Sequence, residues 1–390
     1  MHKEAAVPAP VPGDLRLEEV DDESGCLEPF FYDKAEVVAE AAAAAERRRR
    51  EAEEKAAEDA RKMDAFRRRK EAHQAVIDRI REYDPKTGKI CYTRFFNKDF
   101  SKFDIDEESP LAPMRYTHKT PSTYANSLGR QVYHVYDSVN VLSVKIVPSD
   151  VGFPLKVYGT VIARDHLDYK CVYLYRRSRE DYQLISSEDQ SLTLTGPTRG
   201  LVLLDGIYIE VDLNIIDEQG KKDPKLSKGL CTIDGILRGA WEDSHVGCAD
   251  LDSRLSNLEV KFAVEATFEI RVLNGDFCGE ITACTSSIQD HLVLHDSKTG
   301  GVICDGSGIL QLWRRVVTVG LEETLLLMIA TQACDVSTAS ATRTLVFTPE
   351  VNGSTEGEIT VGAVTFFIKV NWSFDYINAN FDVPLLNRAM

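Results

Sequence analysis

The chain has 390 residues, of which 43% are hydrophobic and 28% are charged, so it can bury a globular core. Its formal net charge is −16. Residues 1–33 carry two basic and nine acidic side chains, residues 34–82 carry 14 basic and 12 acidic ones, and the remainder carries about −11. An acidic domain argues against broad binding to nucleic acid or anionic membranes, because both need an excess of Lys and Arg.

The nine cysteines are scattered and form no Cys-x-x-Cys pair, which argues against both a disulfide scaffold and a zinc site. We therefore expect free thiols. The sequence offers no Gly-rich phosphate loop between a strand and a helix, no Gly-x-Ser-x-Gly elbow and no prominent pair of carboxylates. We predict no catalytic residue, no metal and no cofactor.

Residues 1–32 are rich in proline and acidic side chains, which predicts a disordered tail. They lack an apolar signal segment, and no apolar run in the chain is long enough to span a bilayer. These features predict a soluble, cytoplasmic protein without membrane association. Two basic blocks, residues 47–50 and 67–70, leave a nuclear location open as an alternative.

Residues 33–83 contain neither Gly nor Pro and are dominated by Ala, Glu, Arg and Lys, which favour helices. Asp33 and Glu36 have the spacing of a capping box. Opposite charges recur four residues apart, as at Glu46 and Arg50, and such pairs stabilise an isolated helix. The sequence predicts a long charged helix that is stable in solvent.

A coiled coil is the alternative for this helix. Its best heptad pattern runs from Ala52 to Ile80, but polar residues such as Asp59 and Lys70 interrupt it. Weak self-association through the helix therefore stays open. The more apolar end, residues 63–83, is expected to dock on the following domain or on a partner.

Residues 84–140 mix aromatic, proline and polar residues, which predicts an irregular segment that ends in a strand near residues 131–136. From residue 141 apolar and polar residues alternate, as in the run from Ile207 to Leu213. Tight-turn pairs such as Asn274-Gly275 separate these runs. The pattern predicts a mainly β fold, an antiparallel sandwich or barrel over residues 141–372 with a C-terminal tail at 373–390.

The β region contains an internal duplication in its pattern. At an offset of 120 residues Gly159 matches Gly279, and at an offset of 118 Val211 matches Ile329. The predicted repeat-like halves are residues 141–215 and 260–330, with final strands to residue 372. A crevice between two like halves would be the natural place for a ligand.

Aromatic and basic side chains are interleaved near one strand end of the first half. The candidate binding residues there are Tyr173, Tyr175, Arg176, Arg177 and Arg179. Platforms that bind single-stranded nucleic acid combine these residue types. In the competing interpretation, the tyrosines pack in the fold and the arginines pair with nearby acidic residues.

Five strings of the chain resemble a domain of unknown function that is expanded in grasses. They are DYKCVYLYRR at residues 168–177, LTLTGPTRGL at 192–201, LSKG at 226–229, AVEAT at 263–267 and LVLHDSK at 292–298. The resemblance covers about residues 139–372, and Leu-Thr-Gly-Pro-x-Arg-Gly is its most specific block. It implies a plant protein in stress or defence, because some relatives carry this domain behind a ribosome-inactivating N-glycosidase domain. The charged helix stands in place of that domain here, so no catalytic residue follows from the resemblance.

The sequence thus predicts a non-enzymatic binding or adaptor protein with an unidentified ligand. The β domain would bind a protein partner, and the helix would act as a spacer or bind a second partner. Two alternatives stay open. One is an RNA- or ribosome-associated defence factor that uses the tyrosine–arginine strand, and the other is a hydrolase with its site between the two β repeats.

Overall fold

The computed structural model describes residues 33–374 except for residues 85–87, 98, 102–103, 126–127, 134, 147–151, 205, 218–222, 235–252, 261, 289, 301–307 and 333–339. The predicted disordered tail at residues 1–32 lies outside the described residues. So does the predicted C-terminal tail at 373–390, apart from its first two residues.

The predicted helix is present as α1, Lys34–Ile80. It begins after Asp33, whose Oδ1 accepts a hydrogen bond from the backbone N–H of Ala35 at 2.8 Å, as expected of a residue that caps a helix. It ends three residues before the predicted end at residue 83. Residues 81–84 leave the helix because they form strand β1, Arg81–Asp84, which pairs antiparallel with β2, Lys89–Tyr92.

The chain divides into two compact units, Met1–Arg67 and Arg68–Met390. In the first unit the described residues after Asp33 belong to α1, and nearly all of their side chains are exposed. Ion pairs four residues apart line this part of the helix, for example Glu46 with Arg50 at 3.1 Å. Met63 and Phe66 are also exposed, at 66% and 62%. Whether this segment self-associates stays a prediction.

In the second unit the end of α1 packs on the irregular segment that follows it. Ile77 and Ile80 are buried against Phe100 and Ile105. This small apolar cluster fixes the end of the helix beside the β region.

The described residues contain twenty strands and a short second helix, α2, Ser297–Gly300. After β1 and β2 come β3 Thr123–Ala125 and β4 Gln131–Tyr133. The first half then comprises β5 Ser138–Ile146, β6 Leu155–Arg164, β7 Val172–Arg177, β8 Gln183–Ile185, β9 Leu201–Val202, β10 Gly206–Ile215, β11 Lys225–Asp234 and β12 Ser253–Val260. The second half comprises β13 Ala263–Asn274, β14 Gly279–Thr285, β15 Leu292–Asp296, β16 Val316–Gly320, β17 Leu325–Thr331, β18 Ala341–Phe347, β19 Gly353–Val361 and β20 Val364–Ser373.

The two halves share one strand order. The first half has sheets β11-β10-β6-β7 and β12-β5-β9, with β8 also paired to β6. The second half repeats them as β18-β17-β14-β15 and β20-β13-β16, with β19 added beside β20. All pairs between these strands are antiparallel. Each sheet is open in the described residues, so the fold is not the closed barrel that the sequence left as an alternative.

The strand register also repeats between the halves. Gly159 on β6 lies opposite Leu213 on β10, and Gly279 on β14 lies opposite Thr331 on β17, as the offsets of 120 and 118 predict. A Cβ atom on Gly159 would lie 2.1 Å from the carbonyl oxygen of Asp212, and one on Gly279 would lie 1.9 Å from that of Ala330. Glycine is therefore required at both positions, because the neighbouring backbone approaches too closely for a side chain.

Each half encloses its own apolar core between its two sheets, as in a β sandwich. In the first half Val161 and Ile209 are fully buried in this core, and in the second half Ile281, Leu327 and Trp372 are. The inner face of each strand therefore carries the alternating apolar residues that the sequence pattern marks.

Equivalent polar contacts join the two halves. Thr318 N donates to Asn140 Oδ1 at 3.0 Å, and Gly200 N donates to Glu265 Oε2 at 2.6 Å. The register of β5 with β9 and of β13 with β16 makes Asn140 the counterpart of Glu265, and Gly200 the counterpart of Thr318. These contacts lie at the junction between the halves, where the sequence placed a crevice.

Candidate functional site

A cavity of about 300 Å³ lies on the outer face of sheet β11-β10-β6-β7, the face turned away from the core. We call it the first-sheet pocket. The strand residues that line it are Thr160, Ile162, Tyr173, Glu210, Val211, Asp212 and Lys228. The pocket is therefore built on strands of the first half.

The wall of the first-sheet pocket comes from the segment after β2, through Thr93, Arg94 and Asp106. Phe95 holds this segment on the sheet: its ring lies 4.5 Å from that of Tyr208, centroid to centroid, and it is only 3% exposed. An aromatic anchor of this kind buries a large apolar area. It converts a strand face that the sequence pattern marks as solvated into the floor of a pocket.

A buried charge pair forms that floor. Glu210 is 4% exposed and Arg164 is fully buried, and Arg164 Nε donates to Glu210 Oε1 at 2.7 Å. Glu210 also accepts from Arg94 Nε at 2.9 Å and from the backbone N–H of Phe95 at 3.0 Å. Burial alone would raise the pKa of Glu210, but the two guanidinium groups outweigh it and hold that pKa below its usual value.

The charge pairing extends from the pocket to the end of α1. Asp106 accepts from Arg94 NH1 at 2.6 Å and also pairs with Arg79 of the helix. Burial works to raise the pKa of Asp106, but these two arginines lower it. Arg79, Asp106, Arg94, Glu210 and Arg164 thus form one chain of alternating charges that ties the helix end to the pocket floor.

The rim of the pocket is also paired. Lys228 pairs with Glu82 on β1, and Asp212 pairs with Lys225. Tyr173 presents its ring to the pocket, and burial raises the pKa of its hydroxyl.

The structure brings two of the five predicted binding residues together at this pocket. Tyr173 lines it, and the guanidinium of Arg176 lies 4.5 Å from the centroid of the Tyr173 ring. Arg176 is exposed and also lies 3.5 Å from a carboxylate oxygen of Glu108. Such a cation–π contact holds the ring in place.

The other three predicted residues point elsewhere. Tyr175 is fully buried in the core and donates its hydroxyl proton to the carbonyl oxygen of Val157 at 3.1 Å. Arg177 pairs with Asp181 at 3.0 Å, and Arg179 pairs with a carboxylate of Asp223 at 2.6 Å. A one-residue irregularity in the pairing of β7 with β6 separates Tyr173 from Tyr175.

The block Leu-Thr-Gly-Pro-x-Arg-Gly has a structural place in the fold. Arg199 is 1% exposed, and its two terminal nitrogens donate to the two carboxylate oxygens of Asp165 at 2.6 and 2.8 Å. Gly196 packs so closely on β7 that a Cβ atom there would lie 1.9 Å from the carbonyl oxygen of Tyr173. Since Gly200 also donates to Glu265, the block joins the two halves.

A second cavity, of about 600 Å³, lies on the outer face of the second half. Its lining comes from β13 and β20, from Met114 and from residues 309–315. Neither this cavity nor the first-sheet pocket is lined by residues of both halves. Neither cavity therefore occupies the expected crevice between the repeats.

The described residues provide no activated nucleophile at the first-sheet pocket and no group of three or more His, Cys, Asp or Glu that could hold a metal ion. Burial raises the pKa of the thiols of Cys171, Cys231 and Cys284, with that of Cys231 at about 11. A protonated thiol is a poor nucleophile. No helix among the described residues is long and apolar enough to cross a membrane.

Sequence reasoning missed Arg94, Asp106, Arg164 and Glu210. Their partners lie as far as 116 residues apart along the chain, so no local motif marks them. One signal does exist in the sequence: at the offset of 118 residues, Glu210 aligns with an apolar residue, Met328. A difference between the repeats at an outer-face position identifies a residue that the shared fold does not require.

Comparison with known families gives one match. A family model described as a domain of unknown function (DUF6598) matches residues 138–370. No curated protein and no solved structure matches the chain.

Proposed function

The chain belongs to the DUF6598 family, a domain of unknown function, and we propose that it is a non-enzymatic binding protein whose recognition site is the first-sheet pocket. In this proposal it acts as an adaptor. The pocket binds one ligand, and the exposed part of α1 contacts a protein partner.

The observation that carries the proposal is the complete pairing of the charges at the pocket. Glu210 accepts hydrogen bonds from three residues, and Asp106 pairs with two arginines. A general base or nucleophile needs a perturbed, available group near the reacting atom. Carboxylates held ionised by fixed arginines instead provide a rigid polar surface, which suits binding.

The surface of α1 supports the adaptor part of the proposal. Met63 and Phe66 lie one turn apart on the helix, and both are more than 60% exposed. Exposed apolar side chains next to charged ones are common where helices bind partners. A cytoplasmic setting in plant stress or defence, with a nuclear location as the alternative, belongs to the same proposal.

The pairing of the arginines weighs against the RNA-associated alternative. Arg176, Arg177 and Arg179 each have an acidic partner within 3.5 Å, and only Tyr173 offers a ring at the pocket. A single-strand platform needs several aromatic rings in a basic groove. The two cavities described above give the hydrolase alternative no support, because neither is lined by residues of both repeats.

The test is site-specific photo-crosslinking with the full chain. A photoreactive phenylalanine analogue replaces Tyr173 in the pocket, and a matched control replaces Val293, which is 37% exposed and occupies the same strand position in the second half. We expect a reproducible set of crosslinked molecules from cell extract at position 173 that is absent at position 293. The same crosslinks at both positions, or none at position 173, would contradict the proposal.

A further inference from the structure

We infer that the first-sheet pocket takes a neutral, polyhydroxylated ligand, a sugar ring or a short chain of such rings. This inference rests on the proposed function, because it names the ligand class of the same site. Three features of the pocket support it: the pairing of its charges, its aromatic and aliphatic surface, and its remaining hydrogen-bonding groups.

Each charged side chain that lines the pocket has a partner of opposite charge. The lining contains two basic side chains, Arg94 and Lys228, and three acidic ones, Asp106, Glu210 and Asp212. The basic residues Arg164, Arg79 and Lys225 and the acidic Glu82 pair with them from outside the cavity. A charged ligand would have to break one of these pairs, which is costly where the pair is buried. A neutral ligand leaves them intact.

An apolar surface lies beside these charges. Tyr173 on β7 is directly opposite Ile162 on β6, and both line the cavity. The stacked guanidinium of Arg176 keeps the Tyr173 ring in place, so little entropy is lost when a ligand packs on it. The C–H face of a sugar ring is apolar and can pack on an aromatic ring, whereas its edge carries hydroxyls.

The pocket offers both acceptors and donors for those hydroxyls. Asp212 and Lys228 lie opposite each other on β10 and β11, and Thr160 lies opposite Asp212 on β6. Each carboxylate oxygen has lone pairs beyond those used in its ion pair, and an ammonium group has three donors. A hydroxyl both donates and accepts, so it can use this mixed surface fully.

The size of the cavity and the second half agree with this assignment. About 300 Å³ is at the lower end of the range for small-molecule sites, which suits about one or two rings. In the second half the positions of Tyr173, Thr160 and Asp212 are held by Val293, Glu280 and Ala330. That face lacks the aromatic ring and the donor–acceptor row, so we expect no sugar binding there.

The experiment is saturation-transfer NMR on the full chain with maltose, cellobiose and xylobiose as neutral probes and digalacturonic acid as the charged probe. We expect saturation transfer to at least one neutral disaccharide, and a Kd that does not change between 50 and 500 mM salt, because no ion pair forms with the ligand. The charged probe should bind more weakly. No transfer to any neutral probe, or tighter binding of the charged one, would overturn the inference.

Two variants and a control variant localise the binding. Tyr173→Ala should weaken the affinity by at least about tenfold, whereas Val293→Ala should leave it unchanged. Thr160→Arg, which fills the cavity, should abolish binding, and unchanged thermal unfolding would show that each variant folds. Wild-type affinity in Tyr173→Ala overturns the inference.

This test is separable from that of the proposed function. If crosslinks form at position 173 but no neutral sugar binds, the sugar assignment is wrong and the recognition site stands. If neither occurs, the proposed function falls as well.

Discussion

The two halves of the β unit have the same strand order but different outer faces. In both, the inner faces carry buried aliphatic residues, and Gly159 and Gly279 meet the same close backbone contact. On the outer face, the first half has Arg164 and Glu210 as a buried ion pair. The shared features are those that the core requires, so the duplicated fold is maintained through its inner faces.

The equivalent sheet of the second half has no ion pair at the positions of Arg164 and Glu210. The strand register puts Cys284 at the position of Arg164, and Met328 at the position of Glu210. A buried ion pair is a poor source of net stability compared with apolar residues of similar volume. The ion pair is therefore not required by the topology of the sheet, since the version with Cys284 and Met328 has the same strand order.

The largest expected effect comes from moving one second-half residue into the first half. Glu210→Met should lower the free energy of unfolding by about 3–5 kcal/mol, because Arg164 would stay buried without its carboxylate. Urea unfolding followed by circular dichroism measures this loss. Arg164 would keep only its hydrogen bonds to the carbonyl oxygens of Ile105 and Tyr169.

Two further variants control this experiment. Met328→Leu in the second half should cost less than about 1.5 kcal/mol, because it conserves the volume of the side chain. The double variant Arg164→Cys/Glu210→Met, which copies the second-half residues, should regain at least half of the stability lost in Glu210→Met. A double variant that is as unstable as the single one would contradict this view of the ion pair.

The next effect tests the close backbone contact of a glycine that both halves share. Gly159→Ala and Gly279→Ala should each lower the free energy of unfolding by about 1–3 kcal/mol, because the new Cβ atom would force two strands apart. Gly357→Ala on β19 is the control, since its nearest neighbour would be a side-chain carbon of Leu345 at 3.8 Å. Urea unfolding of all three variants checks this. A loss at only one of the first two positions would mean that the halves are not equivalent there.

The smallest expected effect is a difference between the halves in the pH at which each loses stability. His295 in the second half is 1% exposed and contacts the rings of Phe277 and Trp313. Burial lowers its pKa from 6.5, although the carbonyl of Gln311 and the charge of Asp296 oppose this in part. As pH falls, His295 therefore takes up a proton at a higher pH in the unfolded chain than in the folded one. Stability of the second half should fall as pH drops below about 6.5, by up to about 1.4 kcal/mol per pH unit.

The first half should respond only at lower pH. The pKa of Glu210 is held below its ordinary value of 4.5, so its stabilising contribution is present above that value and is lost as pH falls below it. Hydrogen exchange measured at pH 7.5, 5.5 and 4.0 should show β14 and β15 losing protection first. His295→Gln should remove the change between pH 7.5 and 5.5. Loss of protection in both halves at the same pH would contradict the expectation.

Much of the fold is predictable from short-range patterns. Asp33 marks the start of α1, and the period-two alternation marks strands such as β10 and β13. The hairpin of β1 with β2 was missed because Arg81–Asp84 continues the helical composition. Its strand pairing depends on residues 89–92, beyond the turn, and helix propensity does not contain that information.

The candidate site was predicted only at Tyr173 and Arg176. An interleaved run of tyrosine and arginine indicates a surface strand, but it does not tell which tyrosine faces outward once the pairing of β7 with β6 shifts by one residue. Tyr175 consequently lies in the core. Arg94 and Asp106 belong to an irregular segment whose position on the sheet depends on the burial of Phe95.

The sequence by itself determined the long charged helix, the alternating strands and the repeat between the halves, because each arises from residues close together or from one pattern read twice. Tertiary structure alone decided which outer faces are covered. The alternation marks Glu210 and Glu265 as solvated, yet both are 4% exposed. Glu210 is covered by Phe95, 115 residues earlier in the chain, and Glu265 by Gly200 of the other half. A period of two specifies which residues face the core, whereas the cover over the opposite face comes from segments distant in the chain.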